Sequence, residues 1–375
     1  MTRITQHSVI HYNPSKAYKG YTLFAPMGGR DVWLIDMQGR IVHQWTMPHT
    51  PGCHGVILSN GNLLYAARLP ERPLPEFGGG GGNLLEADWD GNLIWKYEDV
   101  FLHHSFCRMD NGNTMTLRWV SVPDDIAETV KGGIPGTERK QVMWTDSFRE
   151  ITPDGEVAWE WQAYEHLNPE TDAICPLCKR EEWTHGNSCI VLPDGNIMTT
   201  LLSLDTIAII DKGTGDLKWR WGPGELAHPH DPTMLDNGNI LVFDNGAHRQ
   251  GEIQGYSRVL EVNPKTNEIE WEYKGNPSDE FVAAFLSGAQ RLPNGNTLIC
   301  EGPSGRIFEV TAEKELVWDF INPFYHPYPI LGHSNVIFRA YRYGPDYEGL
   351  KGKPLDPEKF EWLNRVYGPK AFSPA

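Results

Sequence analysis

The chain has 375 residues and a formal charge of −16 at pH 7, with 49 Asp and Glu against 33 Lys and Arg. An acidic surface repels phosphate backbones and is not attracted to anionic lipid, so we expect no nucleic-acid or membrane partner. No apolar N-terminal run or membrane-spanning stretch is visible, which predicts a cytoplasmic protein, and the six Cys are too few for a disulfide framework.

A hairpin motif that ends in tryptophan recurs six times along the chain. Each copy has an apolar pair, an acidic or similar residue, a short polar turn and an alternating apolar run. The copies begin at residues 32, 84, 148, 208, 259 and 307, and their matching tryptophans are Trp45, Trp95, Trp159, Trp219, Trp271 and Trp318. Alternation with period two predicts β-strands, two for each copy.

A second motif falls between these copies and carries an Asn-Gly or Asp-Gly turn. It occurs at residues 57–64, 108–115, 191–198, 234–241 and 291–298. Such turns between apolar runs predict tight hairpins in which both turn residues accept positive φ. Each repeat is therefore strand A, turn, strand B, loop, strand C, turn and strand D. Repeats of four antiparallel strands at spacings of 48–64 residues indicate the blades of a β-propeller.

The two ends of the chain predict how the ring closes. Strands C and D of one repeat lie at about 20–48, and a last strand-A region without the Asn-Gly turn lies at 332–345. We therefore predict an all-β, six-bladed β-propeller, closed by N-terminal strands C and D with C-terminal strands A and B. It forms a single domain over residues 1–375, with blades at 20–345 and a tail at 346–375 packed outside the ring, including a short helix at 356–366. Long insertions at 68–83, 119–147 and 163–184 are of the kind that cover active sites.

Histidines recur at the start of strand A, where a propeller gathers residues at one mouth of its channel. The leading residues are His54, His104, His185 with Asn187, His230, Ser287 and His333, and His103 and His228 lie beside two of them. Repeated imidazoles at one mouth indicate nucleophilic or acid–base chemistry, or a metal.

Two segments resemble the bacterial arylsulfate sulfotransferases. They are the His-x-Asn segment from His185 to Asn196 and the segment from His230 to Gly246, "HDPTMLDNGNILVFDNG", and the ending at 332–347 is also similar. The resemblance covers most of the chain. It implies a six-bladed propeller that moves a sulfuryl group from a phenolic sulfate to a phenolic acceptor by a ping-pong route through a sulfo-histidine.

The resemblance also implies roles for individual residues. His230 matches the nucleophile, and His104 or its neighbour His103, with His185 and Asn187, matches the groups that hold the sulfuryl oxygens. In this interpretation the catalytic residues are His230, His185, Asn187 and His104, no cofactor is needed, and the partner is a small aromatic substrate. The residues expected to contact substrate are His54, His103, His333, Arg249 and Asp231.

The chain departs from the family pattern at one charged position. The family carries an Arg on the strand after His-x-Asn, whereas this chain reads "TTLLSLDT" at 199–206. Arg249 or Arg291 is a candidate substitute, since a sulfate ester needs a cation. Asp231 or Asp244 is a candidate to orient the imidazole of His230.

Two other classes of function use the same residues differently. In a metal-dependent lyase, hydratase or oxygenase, His54, His104, His185, His230 and His333 would hold one divalent transition metal such as Fe, Cu, Ni or Zn. In a non-catalytic binding propeller, the channel mouth would need no titratable cluster. The oligomeric state is not predicted by any of the three.

A Cys-Pro-Leu-Cys segment, Cys175 to Cys178, supplies two of the four ligands that a zinc ion requires. His166 or His185 would complete such a site. A local redox disulfide and a pair of ordinary thiols are the alternatives.

Overall fold

The computed structural model describes residues 8–138, 142–251, 255–329 and 331–368. The fold is all-β, and six sheets of four antiparallel strands have the connectivity of the predicted six-bladed β-propeller. We call each sheet a blade, numbered in chain order, with strands A to D. The chain divides into two compact units with three blades each; one domain over residues 1–375 stays a prediction. No helix among the described residues is long and apolar enough to cross a membrane.

Unit 1 comprises the described parts of Met1–Pro70, Asn83–Glu98 and Leu286–Ala375. In the order A to D, blade 1 contains Ile337–Tyr343, Tyr21–Pro26, Asp31–Ile35 and Ile41–Thr46. Blade 2 contains Pro51–Ile57, Leu63–Arg68, Gly82–Ala87 and Leu93–Glu98. Blade 6 contains Gly288–Arg291, Thr297–Glu301, Arg306–Val310 and Leu316–Ile321, and Ser8–Tyr12 adds a fifth strand beside strand D. A hairpin of His326–Tyr328 and Gly332–Ser334 precedes the last strand, and short 3₁₀ turns lie at Gly302–Ser304, Glu348–Leu350 and Pro357–Phe360.

Unit 2 comprises the described parts of Glu71–Gly82 and Asp99–Phe285. Blade 3 contains Leu102–Arg108, Thr114–Ser121, Trp144–Ile151 and Val157–Gln162. Blade 4 contains Ile190–Val191, Ile197–Leu201, Thr206–Ile210 and Leu217–Trp221. Blade 5 contains Pro229–Met234, Ile240–Asp244, Arg258–Asn263 and Glu268–Lys274. The insertions form a helix at Asp124–Ala127, a parallel pair of Gly132–Ile134 and Ile174–Lys179, and 3₁₀ turns at Ala163–Glu165, Leu202–Leu204 and Ser278–Glu280.

The blade that joins the two ends of the chain differs from the prediction. It takes one strand, Ile337–Tyr343, from the C-terminal part and three strands from the N-terminal part, so the expected two-plus-two closure is wrong. The reason is local: the C-terminal segment lacks the Asn-Gly turn, so it cannot fold back into a strand B. Tyr21–Pro26 takes that place and pairs with the last strand from Tyr21–Tyr343 to Pro26–Ile337.

The Asn-Gly and Asp-Gly turns form the predicted hairpins with a different backbone geometry. The glycine is the turn residue with positive φ, as at Gly61 (+85°) and Gly238 (+84°), whereas the preceding Asn or Asp is not. In the first of these turns the Gly61 N–H donates to the Leu58 carbonyl, and the Leu58 N–H donates to Asn62. This is a type I turn followed by a left-handed glycine, so the positive φ expected for the Asn or Asp is wrong, while that of the glycine is confirmed.

The repeated tryptophans connect successive blades within each unit. The indole N–H of Trp45 donates to the Asp88 carbonyl in the C–D turn of blade 2 at 3.0 Å, and that of Trp318 donates to the Met37 carbonyl of blade 1 at 2.8 Å. In unit 2, Trp159 donates to the Lys212 carbonyl at 3.1 Å. A ring that packs on its own blade and donates to the next explains why the residue type repeats.

The core of each unit lies between adjacent blades. Strands B and C are buried on both faces, as in Leu63–Arg68 and Gly82–Ala87, which explains the continuous apolar run at residues 63–67. Between blades 4 and 5, Met198 and Ile207 pack with Val242 and Leu260 in one cluster.

The C-terminal tail packs on blade 1. Its helix, Glu361–Tyr367, buries Leu363 in the apolar cluster of unit 1. The Asn364 side chain accepts the Ile41 N–H at 2.7 Å and donates to the Ile41 carbonyl at 3.1 Å. The tail therefore covers the start of strand D; its residues 369–375 lie outside the described part.

Candidate active site

The strands that carry the predicted site begin with left-handed backbone. His104 has φ +50° and His185 has φ +47°, and in blade 5 Asp231, next to His230, has φ +54°. Residues other than glycine rarely adopt this region, and each instance costs about 1–3 kcal/mol. Its recurrence at nearly the same place of three blades shows that the packing around these strand starts enforces it.

A glycine-rich loop presses against His104. The Gly79 carbonyl accepts the His104 N–H at 2.8 Å. A Cβ on Gly79, whose φ is +74°, would lie 2.2 Å from the His104 ring, so only glycine fits there. Leu74 and Phe77 of the same loop pack on Trp119. Residues 74–79 of the insertion thus pack beside His104 and Trp119.

His103 and His104 form a pair backed by a carboxylate. The Nδ1 atoms of the two rings lie 2.8 Å apart, and His103 Nε2 lies 3.2 Å from Asp146 Oδ1. His103 also stacks on Trp119, with ring centroids 4.2 Å apart. When His103 is doubly protonated, its Nδ1–H donates to His104 Nδ1 and its Nε2–H faces Asp146. His104 then carries its own proton on Nε2. His104 is thus able to offer an N–H to an anionic group.

His185 contacts both His104 and a second carboxylate. Its ring meets that of His104 edge to face, with centroids 4.8 Å apart. His185 Nδ1 lies 2.7 Å from Glu182 Oε2, while Glu182 Oε1 accepts the indole N–H of Trp119 at 2.7 Å. Burial disfavours the charged imidazole, but the Glu182 carboxylate, with Asp146, outweighs it and raises the pKa of His185 above its ordinary value. The cationic form of His185, which carries an N–H at Nε2, therefore persists to higher pH than that of an ordinary histidine, because its pKa is raised.

Asn187 bridges blades 4 and 5. Its side-chain NH₂ donates to the Pro229 carbonyl at 2.8 Å, and its Oδ1 accepts the Thr200 hydroxyl. Thr200 lies in the segment where the family pattern has an arginine. The amide of Asn187 therefore holds the backbone directly before His230, which is a positioning role; its predicted contact with sulfuryl oxygens stays a prediction.

His230 is buried and held by an uncharged partner. Its Nδ1 lies 2.7 Å from Asn245 Oδ1 and 3.3 Å from the His228 carbonyl. Two acceptor oxygens at Nδ1 require an N–H there, so Nε2 carries the lone pair of the neutral ring. Asn245 is fixed in turn, because its NH₂ donates to the Ala283 carbonyl at 2.6 Å. The lone pair of the neutral His230 ring therefore lies on Nε2, and the nucleophilic or metal-binding role of this atom stays a prediction.

The acidic residues proposed to orient His230 have other places. Asp244 accepts the Ala227 N–H at 2.9 Å and binds the guanidinium groups of Arg258 and Arg249 at 2.6 and 2.9 Å, so its predicted orienting role is wrong. Asp231 is buried with left-handed backbone, and its contact with substrate stays a prediction.

The arginines proposed as substitutes also have structural partners. Arg249, besides Asp244, donates to the Glu225 carbonyl at 3.1 Å. Arg291 donates to the Gly295 carbonyl at 3.2 Å in a turn of unit 1. These contacts do not test whether Arg249 or Arg291 binds substrate, but the guanidinium of Arg249 is paired with the buried carboxylate of Asp244.

The two predicted site histidines of unit 1 have different surroundings. His54 stacks on Phe338 with ring centroids 5.7 Å apart, and burial with the nearby Arg339 holds its pKa well below the ordinary value. His333 is exposed on the short Gly332–Ser334 strand, not at the start of the last strand A. Substrate contact by these two residues and the five-histidine metal site both stay predictions.

The site contains three residues that the sequence did not reveal: Asp146, Glu182 and Asn245. Each of them lies at a different place relative to the strands of its blade, so the sequence repeat does not mark these residues as part of a site. The structure also corrects the expected partners of the Cys-Pro-Leu-Cys segment. His166 stacks on Trp161 and His185 binds Glu182, whereas the two cysteines meet His228 and His248.

Comparison with known proteins identifies the family of the chain. The family described as arylsulfotransferase (ASST) matches residues 54–323. No curated protein matches the chain. Among solved structures, a protein of unknown function from Bacteroides caccae is similar with a TM-score of 0.56 and 14% identity, over 86% of this chain and 98% of that chain.

Two lyases show weaker likeness. A streptogramin B lyase has a TM-score of 0.45 and 13% identity, over 85% of this chain and 88% of that chain. A catalytically inactive virginiamycin B lyase from Staphylococcus aureus with quinupristin has a TM-score of 0.45 and 10% identity, over 84% of this chain and 88% of that chain. Of the three solved structures, only the one from Bacteroides caccae bears on this chain, and it bears on the fold alone. The family match covers most of the sequence: the chain belongs to the arylsulfotransferase (ASST) family.

Proposed function

We propose that this protein transfers a sulfuryl group between phenolic compounds through a sulfo-histidine on His230. The observation that carries the proposal is the contact of His230 Nδ1 with Asn245 Oδ1 at 2.7 Å. It fixes the Nδ1–H tautomer, which places on Nε2 the lone pair that would attack sulfur. A neutral imidazole is a competent nucleophile near neutral pH.

The reaction divides into two displacements at sulfur. In the first, a bond forms between His230 Nε2 and sulfur, the bond from sulfur to the aryl oxygen breaks, and the departing phenolate takes the Nε2 proton of His185. In the second, the oxygen of an acceptor phenol attacks sulfur, its proton returns to His185 Nε2, and His230 leaves. His185 suits both steps because Glu182 raises its pKa above the ordinary value, which favours the protonated form that the first step needs.

His104 supplies a second donor for the sulfuryl oxygens. Charge on the transferred group is stabilised best by donors fixed before the reaction. The ring of His104 meets that of His185 edge to face, and its Nδ1 is held by the His103–Asp146 pair. The two imidazoles thereby take over the role of the family's arginine, which is missing from residues 199–206 of this chain, where Thr200 binds Asn187. A consequence is that activity depends on histidine protonation, which an arginine would avoid.

The proposal is tested by transfer from 4-nitrophenyl sulfate to phenol. Without phenol, the wild-type protein is expected to release nitrophenolate for one turnover only. Further release requires phenol, as in a ping-pong reaction. His230→Ala is expected to lose at least about 10³-fold in kcat. His11→Ala, an exposed histidine in the fifth strand of blade 6, is the matched control and should keep full activity. Transfer that survives in folded His230→Ala would overturn the proposal.

A further inference from the structure

Four metal-ligating side chains from three distant segments meet in unit 2. They are Cys175, Cys178, His228 and His248, and their ligand atoms all lie within 4.8 Å of one another. Cys178 Sγ lies 3.2 Å from His228 Nε2 and 3.6 Å from His248 Nδ1, and Cys175 Sγ lies 3.6 Å from the same nitrogen. Among the residues that the structure describes, no other group of three or more His, Cys, Asp or Glu side chains has a spacing that suits one metal ion.

The backbone around the cysteines brings both thiols to one side. In an extended strand, residues three apart point to opposite faces. Here Gly132 pairs with Ile174, and Ile134 pairs with Lys179. The cysteine strand therefore advances five residues while its partner advances two, and the extra residues form a bulge that contains both cysteines. Gly132 permits this approach, since a Cβ there would lie 2.0 Å from the Ile174 carbonyl oxygen.

Both histidines of the cluster adopt left-handed backbone, with φ +56° at His228 and +63° at His248. Such conformations persist where the surroundings over-determine them, and they concentrate at ligand sites. The His228 N–H also donates to Asp205 Oδ1 at 2.8 Å, which fixes the residue from the backbone side.

The spacing fits zinc with two sulfur and two nitrogen ligands. Tetrahedral geometry with bonds of about 2.3 Å to sulfur and about 2.0 Å to nitrogen places these ligands about 3.5 Å apart. The sulfur-to-nitrogen distances of 3.2–3.6 Å match that value. We propose that Cys175, Cys178, His228 and His248 bind one zinc ion in a closed, structural site.

The site would fix the segment that carries His230. Its ligand His228 lies two residues before His230, and the His228 carbonyl is 3.3 Å from His230 Nδ1. The cysteines belong to the 163–184 insertion, which also supplies Glu182. Zinc would therefore tie this insertion to the start of blade 5, while the four protein ligands leave no open position for substrate. Binding of zinc does not depend on sulfuryl transfer.

The test is metal analysis of untagged wild-type protein purified without chelators. The expected result is one zinc per chain, lost in Cys175→Ser, Cys178→Ser and the double variant. Cys107→Ser, a half-buried thiol outside the cluster, is the matched control and should keep its zinc.

A second measurement uses the wild-type chain alone, so that unfolding of a variant does not decide the outcome. Replacement by Co²⁺ should give the strong visible bands of a tetrahedral site and the near-ultraviolet bands of thiolate bonded to cobalt. A folded wild-type protein without zinc that takes up no Co²⁺ would overturn the proposal. Full zinc retention in the folded double variant, or a Cys175–Cys178 disulfide in the protein as isolated, would overturn it as well.

Discussion

The three blades of unit 2 and the three blades of unit 1 use the same repeat position differently. In unit 2 the histidines at or beside that position have a polar partner at Nδ1: His103 for His104, Glu182 for His185 and Asn245 for His230. In unit 1, His54 stacks on an aromatic ring, and the blade 6 residue is Ser287, whose hydroxyl accepts the Gly302 N–H at 3.0 Å. A residue type that recurs through a repeat therefore indicates a shared origin of the blades, and its chemistry is set by the neighbours of each copy.

Among the groups that support the three histidines of unit 2, the largest expected effect comes from the carboxylate behind His185. Glu182→Gln keeps an acceptor for Trp119 but removes the charge that raises the pKa of His185. A raised pKa means that the cation persists as pH rises and is lost only above the ordinary value of 6.5. The alkaline limb of kcat/KM should therefore move to lower pH in the variant, and on that limb the loss should approach the roughly 10²-fold that a positioned general acid contributes.

A neighbouring carboxylate provides the control for this variant. Glu181 pairs with Lys179 at 3.3 Å, so Glu181→Gln should leave the pH profile in place. An unchanged alkaline limb in Glu182→Gln would show that His185 does not act as the acid and would contradict the contrast between the units.

A smaller effect is expected from the amide behind His230. Asn245→Ala removes the acceptor at Nδ1, and one buried hydrogen bond contributes about 1–1.5 kcal/mol, so kcat should fall roughly 10-fold with little change in KM. Asn237→Ala, in the turn of the same blade, is the control because its NH₂ binds only the partly exposed hairpin carboxylate of Glu261 at 2.9 Å. Wild-type kcat in Asn245→Ala would show that the tautomer of His230 is fixed elsewhere.

The smallest effect on activity is expected in unit 1. His54→Phe should keep full transfer activity, and near pH 8 it should change the free energy of unfolding by less than about 1.5 kcal/mol, as similar-sized core substitutions do. Because the pKa of His54 is lowered in the folded state, the unfolded chain binds more protons there, and the wild-type loses stability as pH falls below 6.5. The variant should lose less in urea unfolding at about pH 5. A large drop in activity would place His54 in the site.

The repeat made the fold readable from sequence, because period-two alternation, glycine turns and the recurrent tryptophan each have a local cause. The sequence predicted that one blade combines strands from both ends of the chain. It did not predict that three of the four strands come from the N-terminal part, because Tyr21–Pro26 has no turn motif to mark it as strand B. Ser8–Tyr12 was missed for the same reason.

The site was readable only where it coincides with the repeat. His104, His185 and His230 stand at or beside the start of strand A in their blades, whereas Asp146, Glu182 and Asn245 reach them from a strand C, an insertion and the end of a strand B. The same limit applies to the cysteine cluster, since His228 and His248 lie 50 and more residues from Cys178 in the chain. Long-range pairing of this kind follows from packing and has no periodic signal in a single sequence.

The central claim is that His230 carries the sulfuryl group between the two phenols. The direct measurement is to mix the protein with an aryl sulfate in the absence of acceptor, quench at alkaline pH and map the peptides by mass spectrometry. We expect one sulfuryl group on the peptide that contains His230, and we expect it to be transferred when phenol is added. A modified residue elsewhere, or rapid transfer with His230 unmodified throughout, would contradict it.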